Sequence, residues 1–177
     1  GNHAVLSALQ NKQRVSHFLV STKDHSVKWE KNVKDLGLTT KIKIKTKEQL
    51  DIINDFKPHQ NVILIAEPLK RISLDEFLIE NQYESGQPIR IIILDQVSDP
   101  QNVGAIIRSA FAFKMNALAL SQTNSPVEST SMSKASSGTI EKLTIIELSN
   151  MSRAIRKLQD ANFHVYGLAN GGNGSVF

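Results

Sequence analysis

From Ile89 onward the sequence alternates short apolar runs with amphipathic stretches, and this rhythm leaves few folds open. RIIILD, ALALS and LTIIEL are apolar through their centres, so strands made from them have no water-facing side. FHVYGLA reads as a further strand. Between them NVGAIIRSAFAFK, STSMSKAS and MSRAIRKLQDA read as helices. Strands buried on both faces and separated by helices form a parallel sheet covered on each side, an α/β architecture. Ligands bind such sheets at the carboxyl ends of the strands.

The first 66 residues carry a smaller version of the same rhythm. HAVLSALQ reads as a helix, VSHFLVS as a strand and HSVKWEKNVKDLG as an amphipathic helix closed by Gly37. KIKIK is a strand, KEQLDIINDF a helix and VILIAE a buried strand, which together make a small three-layer α/β unit. PLKRISLDEFLIENQYESGQP, with Pro68, Gly86 and Pro88, suits a connector holding one short helical turn. The expected organisation is a first domain over residues 1–70, a linker over 71–87 and a second domain over 88–177.

DPQNVGAIIRSA, Asp99 to Ala110, leads from the first strand of the second domain into a helix, at the edge where ligands bind. Pro100 keeps the residue before it out of the helical region, so the chain turns there. Asn102 is the candidate N-cap; the helix's free N–H groups and positive dipole end then face the edge, where they can hold an anion. Gly104 removes a side chain where something is to approach closely. Val103, Ile106, Ile107 and Ala110 form the stripe expected to pack on the sheet, while Arg108 shares the other side with Gly104 and Phe111. Arg108 lies six residues after Asn102, roughly 9 Å along a helix, and a long side chain leaning toward the N-terminus recovers about one turn of that. It is therefore expected to look over the gap that Gly104 leaves; a surface arginine paired to a carboxylate is the plainer alternative.

Asp99-Pro100-Gln101-Asn102-Val103-Gly104-Ala105-Ile106-Ile107-Arg108-Ser109-Ala110 resembles the first signature motif of the SpoU (TrmH-type) RNA 2′-O-ribose methyltransferases of the SPOUT superfamily. Lys134-Ala135-Ser136-Ser137-Gly138 resembles the family's Ala-Ser-Gly segment, and Leu148 to Ala154 its Asn-Leu-Ala-Arg helix start. Gly1-Asn2-His3-Ala4-Val5 and Pro58-His59-Gln60 are similar to elements of the ribosomal-protein-like RNA-recruiting domain of the large-subunit rRNA guanosine branch. Asn61 stands where that branch has glycine. The family's second motif, Gly-x-Glu-x-x-Gly, and its third, Ile-Pro followed by Ser-Leu-Asn-Val-Ser, do not occur up to Phe177, so the resemblance implies a parallel-sheet SPOUT (α/β knot) domain incomplete at this C-terminus.

What the resemblance implies is S-adenosylmethionine-dependent methylation of a ribose 2′-hydroxyl, on a guanosine of large-subunit rRNA, with tRNA as the alternative substrate. A non-catalytic RNA-binding protein lacking the cofactor knot is the alternative of another class. In the family's terms Arg108 contacts the 2′-hydroxyl and its neighbouring phosphate, Asn102 supports the site, and Leu168, Ala169 and Asn170 supply one edge of the cofactor pocket. A guanidinium is a poor base at neutral pH, so Arg108 is expected to act as an electrostatic clamp, with a phosphate oxygen or water taking the proton. Family members pair through the catalytic domain, so a homodimer is expected.

Lys41, Lys43, Lys45 and Lys47 in KIKIKTK fall on one side of a strand and suit either an edge strand guarded against aggregation or, alternatively, an RNA backbone. Ser137 is either part of a tight helix-end turn or an RNA-facing residue. The net charge of +4 sits mainly in the first part, with 13 Lys and Arg against 10 Asp and Glu over residues 1–80 and 8 against 7 thereafter. That bias is compatible with RNA without requiring it. The absence of cysteine excludes disulfides and thiolate chemistry, and the five histidines lack metal-ligand spacing, so no metal is expected. GGNG at 171–174 is a weak phosphate-loop lookalike. No apolar run nears the roughly 18 residues that cross a bilayer, and a cytoplasmic location without membrane attachment is expected.

Overall fold

The computed structural model describes residues 1–81, 88–123 and 125–168. The chain opens with α1 (Asn2–Gln10), followed by β1 (Ser16–Ser21), α2 (Lys23–Asp35), β2 (Lys41–Ile44), α3 (Lys47–Ile53) and β3 (Val62–Ala66). These strands form a sheet in the order β2-β1-β3, with β2 parallel and β3 antiparallel to β1. Trp29 and Val33 of α2 and Val5 and Leu9 of α1 close on Leu19 and Val62 to make its core. Trp29 is 1% exposed, so one ring holds much of this small core out of water. Gly37 ends α2 at φ +65°, as expected of a glycine after the last helical turn.

β4 (Ile72–Ser73) and α4 (Leu74–Glu80) follow. Residues 72–80 were expected to be a connector with one helical turn, and the structure corrects that. Ile72 pairs with the second sheet, Ile72, Leu74 and Phe77 are buried in its core, and Ser73 and Glu76 close a reciprocal capping box. The capping pattern Ser-x-x-Glu before apolar residues carried this signal locally.

The second sheet takes β5 (Ile91–Leu94), β6 (Ala117–Ser121) and β7 (Thr144–Leu148), with α5 (Pro100–Ala112), α6 (Thr130–Ala135), a short 3-10 turn (Thr139–Lys142) and α7 (Met151–Asp160) around it. Its order is β4-β7-β6-β5 and every pairing is parallel. Alternation along β6 divides the two faces. Leu118 and Leu120 meet Val103, Ile107 and Met132 on one side, and Ala117 and Ala119 meet Phe77, Ala154 and Leu158 on the other. Both faces are thus covered by helices, as the unbroken apolar strands required.

One expected strand does not form. Residues 163–168 of FHVYGLA have no regular structure, and the end of that stretch lies outside the described residues. Val165, Tyr166 and Leu168 are exposed, so this segment lacks the burial a central parallel strand needs.

Candidate functional site

The strand ends Leu94, Ser121 and Leu148 define the carboxyl edge of the parallel sheet. From Leu94 the chain turns through Gln96, at φ +56°, and enters α5. The cap of that helix is Asp99, not Asn102: the Asp99 carboxylate accepts from the Gln101 N–H at 3.0 Å, and Pro100 takes the first helical position. Proline fits there because it has no N–H to satisfy and its φ is already helical. Asn102 is the third helical residue and exposed. The carboxylate of Asp99 also brings a negative charge to the helix end expected to hold an anion, which disfavours a phosphate at that point.

Gly104 is buried, and what approaches it is protein. A Cβ placed there would lie 2.6 Å from the Met132 carbonyl oxygen and 2.7 Å from the Ala135 Cβ, so α6 fills the notch expected to stay open for a ligand. Val103, Ile107 and Ala110 are fully buried and Ile106 packs half-buried beside them, as the stripe required. Arg108 stands one turn beyond Gly104, exposed, and among the described residues no carboxylate pairs with it. It therefore does not look over an empty notch; it projects from a helix seated tightly on α6.

The signature segments lock into one another. Ala135 meets Gly104, and Gly138, at φ +82°, closes α6 so tightly against α1 that a Cβ would lie 2.6 Å from Ser7 Oγ and 3.0 Å from the His3 carbonyl. Ser137, also left-handed at φ +52°, donates its N–H to Lys134 O at 3.0 Å, which makes it part of a helix-end turn with an exposed side chain. In the first unit the Asn2 N–H, at the start of α1, donates to Gln60 Oε1, just before β3, at 2.8 Å. His59 is buried, with Nε2 3.0 Å from Asp51 Oδ1 and Nδ1 accepting from the Asn61 N–H at 3.0 Å. Asn61 takes φ +60°, the conformation for which glycine is suited and asparagine tolerated.

Two clefts open near the carboxyl edge. One, about 430 Å³, is lined by Gln96, Ser98, Ser125 and Pro126. The other, about 370 Å³, runs under the segment from Pro68 to Arg71, with Gln122, Glu128 and Glu147 above Leu120 and Met132. Arg71 spans it, 3.3 Å from Glu147 Oε1 and donating to Pro126 O at 3.2 Å.

The lysines do not share one strand face as expected. Lys41 and Lys43 lie on β2, an edge strand, beside Phe18 and Val20; Lys45 follows the strand, and Lys47 opens α3 after its cap Thr46. All four are exposed, and the Lys43 ammonium sits 3.7 Å from the centre of the Phe18 ring. Of the three residues expected at the cofactor edge, Leu168 is 81% exposed and outside any strand, while Ala169, Asn170 and the GGNG stretch lie outside the described residues.

Sequence reasoning missed Asp99, although Asp-Pro ahead of an apolar helical pattern was a usable signal. It also missed a group at the junction of the two units. Arg14 donates from Nη1 to Glu128 Oε2 at 3.0 Å and pairs through Nη2 with Glu128 Oε1. Its Nε lies 3.8 Å from Glu141 Oε1. Burial pushes the Glu141 carboxyl above the usual carboxylate range, against the Asn11 hydrogen bond and the charge of Arg14. For Arg14, burial is outweighed by the hydrogen bond and charge of Glu128 and the charge of Glu141, and its pKa is raised. No local pattern links residues more than a hundred positions apart.

Residues 89–176 match the pattern of the SpoU rRNA Methylase family, and residues 1–71 match that of RNA 2′-O ribose methyltransferase substrate binding. A TrmH family tRNA/rRNA methyltransferase of Staphylococcus epidermidis is 31% identical over 170 residues, covering 94% of this chain and 67% of that protein. A tRNA/rRNA methyltransferase of Synechocystis is 27% identical over 173 residues, covering 97% of this chain and 45% of that protein. Among solved structures, the SpoU methyltransferase AviRb from Streptomyces viridochromogenes, in complex with AdoMet, superposes with a TM-score of 0.69 at 15% identity. It is covered over 58% of its length by 92% of this chain. An AdoMet-bound rRNA methyltransferase from Sinorhizobium meliloti gives 0.62 at 20% identity, over 88% of this chain and 56% of that one. The fold is therefore that of SpoU methyltransferases, and the chain spans under three fifths of these solved chains.

Proposed function

The chain belongs to the SpoU (TrmH) methylase family, and from that membership we propose that it serves S-adenosylmethionine-dependent methylation of a ribose 2′-hydroxyl in RNA, with residues 1–71 recruiting the RNA and Arg108 at the reacting ribose. The observation that carries the proposal is Arg108 itself. It sits in the motif, exposed and without a described carboxylate partner, on a helix packed closely against α6 through Gly104 and Ala135. A guanidinium free of internal partners keeps all five donors for a ligand, and its fork matches a phosphate oxygen pair.

Arg108 then fixes the phosphate next to the target ribose and donates to the 2′-oxygen, favouring the charge that develops there as the proton leaves to a phosphate oxygen or water. Asn102, exposed and six residues before it, lies about 240° around the helix from Arg108, and its proposed part is to support the site from the neighbouring side in place of the capping role expected of it. The cofactor edge at Leu168, Ala169 and Asn170 is proposed from the family membership; Leu168 is exposed and outside any strand, and Ala169 and Asn170 lie outside the described residues. When bound, that cofactor supplies an electrophilic methyl group.

For the substrate we take large-subunit rRNA, with a guanosine as the target and tRNA as the alternative; a homodimer in the cytoplasm completes the reading. Lys41, Lys43, Lys45 and Lys47 supply exposed positive charge for the RNA backbone, and Ser137 an exposed hydroxyl. The alternative of another class is an RNA-binding protein without methyl transfer. The intact protein, given labelled S-adenosylmethionine and either rRNA or tRNA, separates these: label in an alkali-resistant dinucleotide of rRNA supports the first reading. Binding of RNA with no label transferred to either RNA supports the second.

A further inference from the structure

We infer that Arg14 and Glu128 are positioning residues: they hold the RNA-recruiting unit at one fixed orientation to the helix that carries Arg108, and so determine which ribose is presented. The inference rests on the methyl-transfer reading above.

Three contacts at this junction point the same way. Arg14, whose side chain is 9% exposed, grips Glu128 with two guanidinium nitrogens, and Glu128 Oε2 also accepts from the Leu69 N–H at 2.7 Å. That one carboxylate therefore ties the strand-side loop of the first unit, the connecting segment and the lead into α6. On the other flank Asn11 Nδ2 donates to Glu141 Oε2 at 2.9 Å, in the 3-10 turn that follows Gly138. Gly138 in turn presses on Ser7 and His3 of α1.

The chemistry favours orientation over adhesion. Burying ions costs desolvation that their attraction only partly returns, so an apolar junction would bind more tightly. A bidentate arginine and carboxylate pair instead admits one relative geometry. The junction is also not packed solid: a cavity of about 230 Å³ lies beside the pair, lined by Ala4, Ala8, Arg14, Glu128, Ser133 and Glu141. With apolar packing interrupted there, the charged contacts resist rotation of one unit on the other together with the seat of Gly138 on α1. α5 is keyed to α6 through Gly104, so any such rotation displaces whatever the first unit holds relative to Arg108.

The chain contains no cysteine, so Lys31→Cys and Gln159→Cys introduce only two labelling sites, exposed on α2 and α7, for pulsed electron paramagnetic resonance. The expected result is one narrow distance, broadened by Arg14→Ala and by Glu128→Gln, with unchanged circular dichroism. In the intact protein the same substitutions should leave RNA affinity within about twofold. They should lower kcat at the target ribose about tenfold or more and add 2′-O-methyl groups on flanking nucleotides. Glu128→Gln keeps the volume and serves if Arg14→Ala does not fold. A distance that stays narrow in the folded variants overturns the inference. So does a broadened distance with kcat and target ribose unchanged. If the unsubstituted protein transfers no methyl group, the functional reading fails and the positioning role with it, while the distance measurement still judges the docking.

Discussion

Gly104 and Met132 stand so close that a methyl group on the Gly104 α-carbon would lie 2.6 Å from the Met132 carbonyl oxygen. The motif glycine thus lets two helices touch, and the arginine one turn later inherits a rigid base. Gly104→Ala should force α5 and α6 apart and cost about 1–3 kcal/mol, as overpacking of a closed interior does. Urea denaturation of the variant against the parent chain measures it. A cost near zero would mean that the helices separate freely.

The same contact shows what the sequence could and could not disclose. The apolar stripe on α5 and the parallel strands were legible because burial imposes a period on neighbouring residues. The glycine at 104 announces close approach but not by what, and it is α6 rather than a ligand that fills the space. Asparagine and aspartate are both good N-caps, so the residue types alone leave Asn102 and Asp99 open; the proline at the first helical position decides for Asp99. The strand expected at FHVYGLA rested on apolar residues alone, and residues 163–168 pair with neither edge of the sheet, leaving Val165, Tyr166 and Leu168 exposed. The Arg14 junction left no local trace at all.

Asn61 stands at φ +60°, in the left-handed region that glycine enters without strain. Asn61→Gly should be neutral within about 0.5 kcal/mol, and Asn61→Ala should cost about 1 kcal/mol, because a Cβ without a compensating polar group is strained there. Thermal or chemical unfolding of the pair of variants gives the comparison.

Glu141 imposes a direction on stability against pH. Its folded pKa is raised, chiefly by burial, so between the ordinary carboxylate value of about 4.3 and the folded value the native state binds more protons than the unfolded one. The contribution of this group to stability therefore falls as pH rises through that window. Glu141→Gln should flatten the fall, which denaturant midpoints measured from pH 4.5 to 7 would reveal; an unchanged profile would contradict the assignment.

Lys41 and Lys43 are exposed on the edge strand β2. If both meet phosphates, replacing them with alanine should reduce the slope of log affinity against log salt by about 1.4–1.8. An unchanged slope with increased aggregation would assign them to edge protection instead.

The most direct test of the account is single-turnover methyl transfer by the intact protein carrying Arg108→Lys. Lysine keeps the charge but not the fork, so the rate should fall about a hundredfold or more while RNA affinity stays within about twofold. A rate close to that of the unsubstituted protein would show that Arg108 does not act at the ribose.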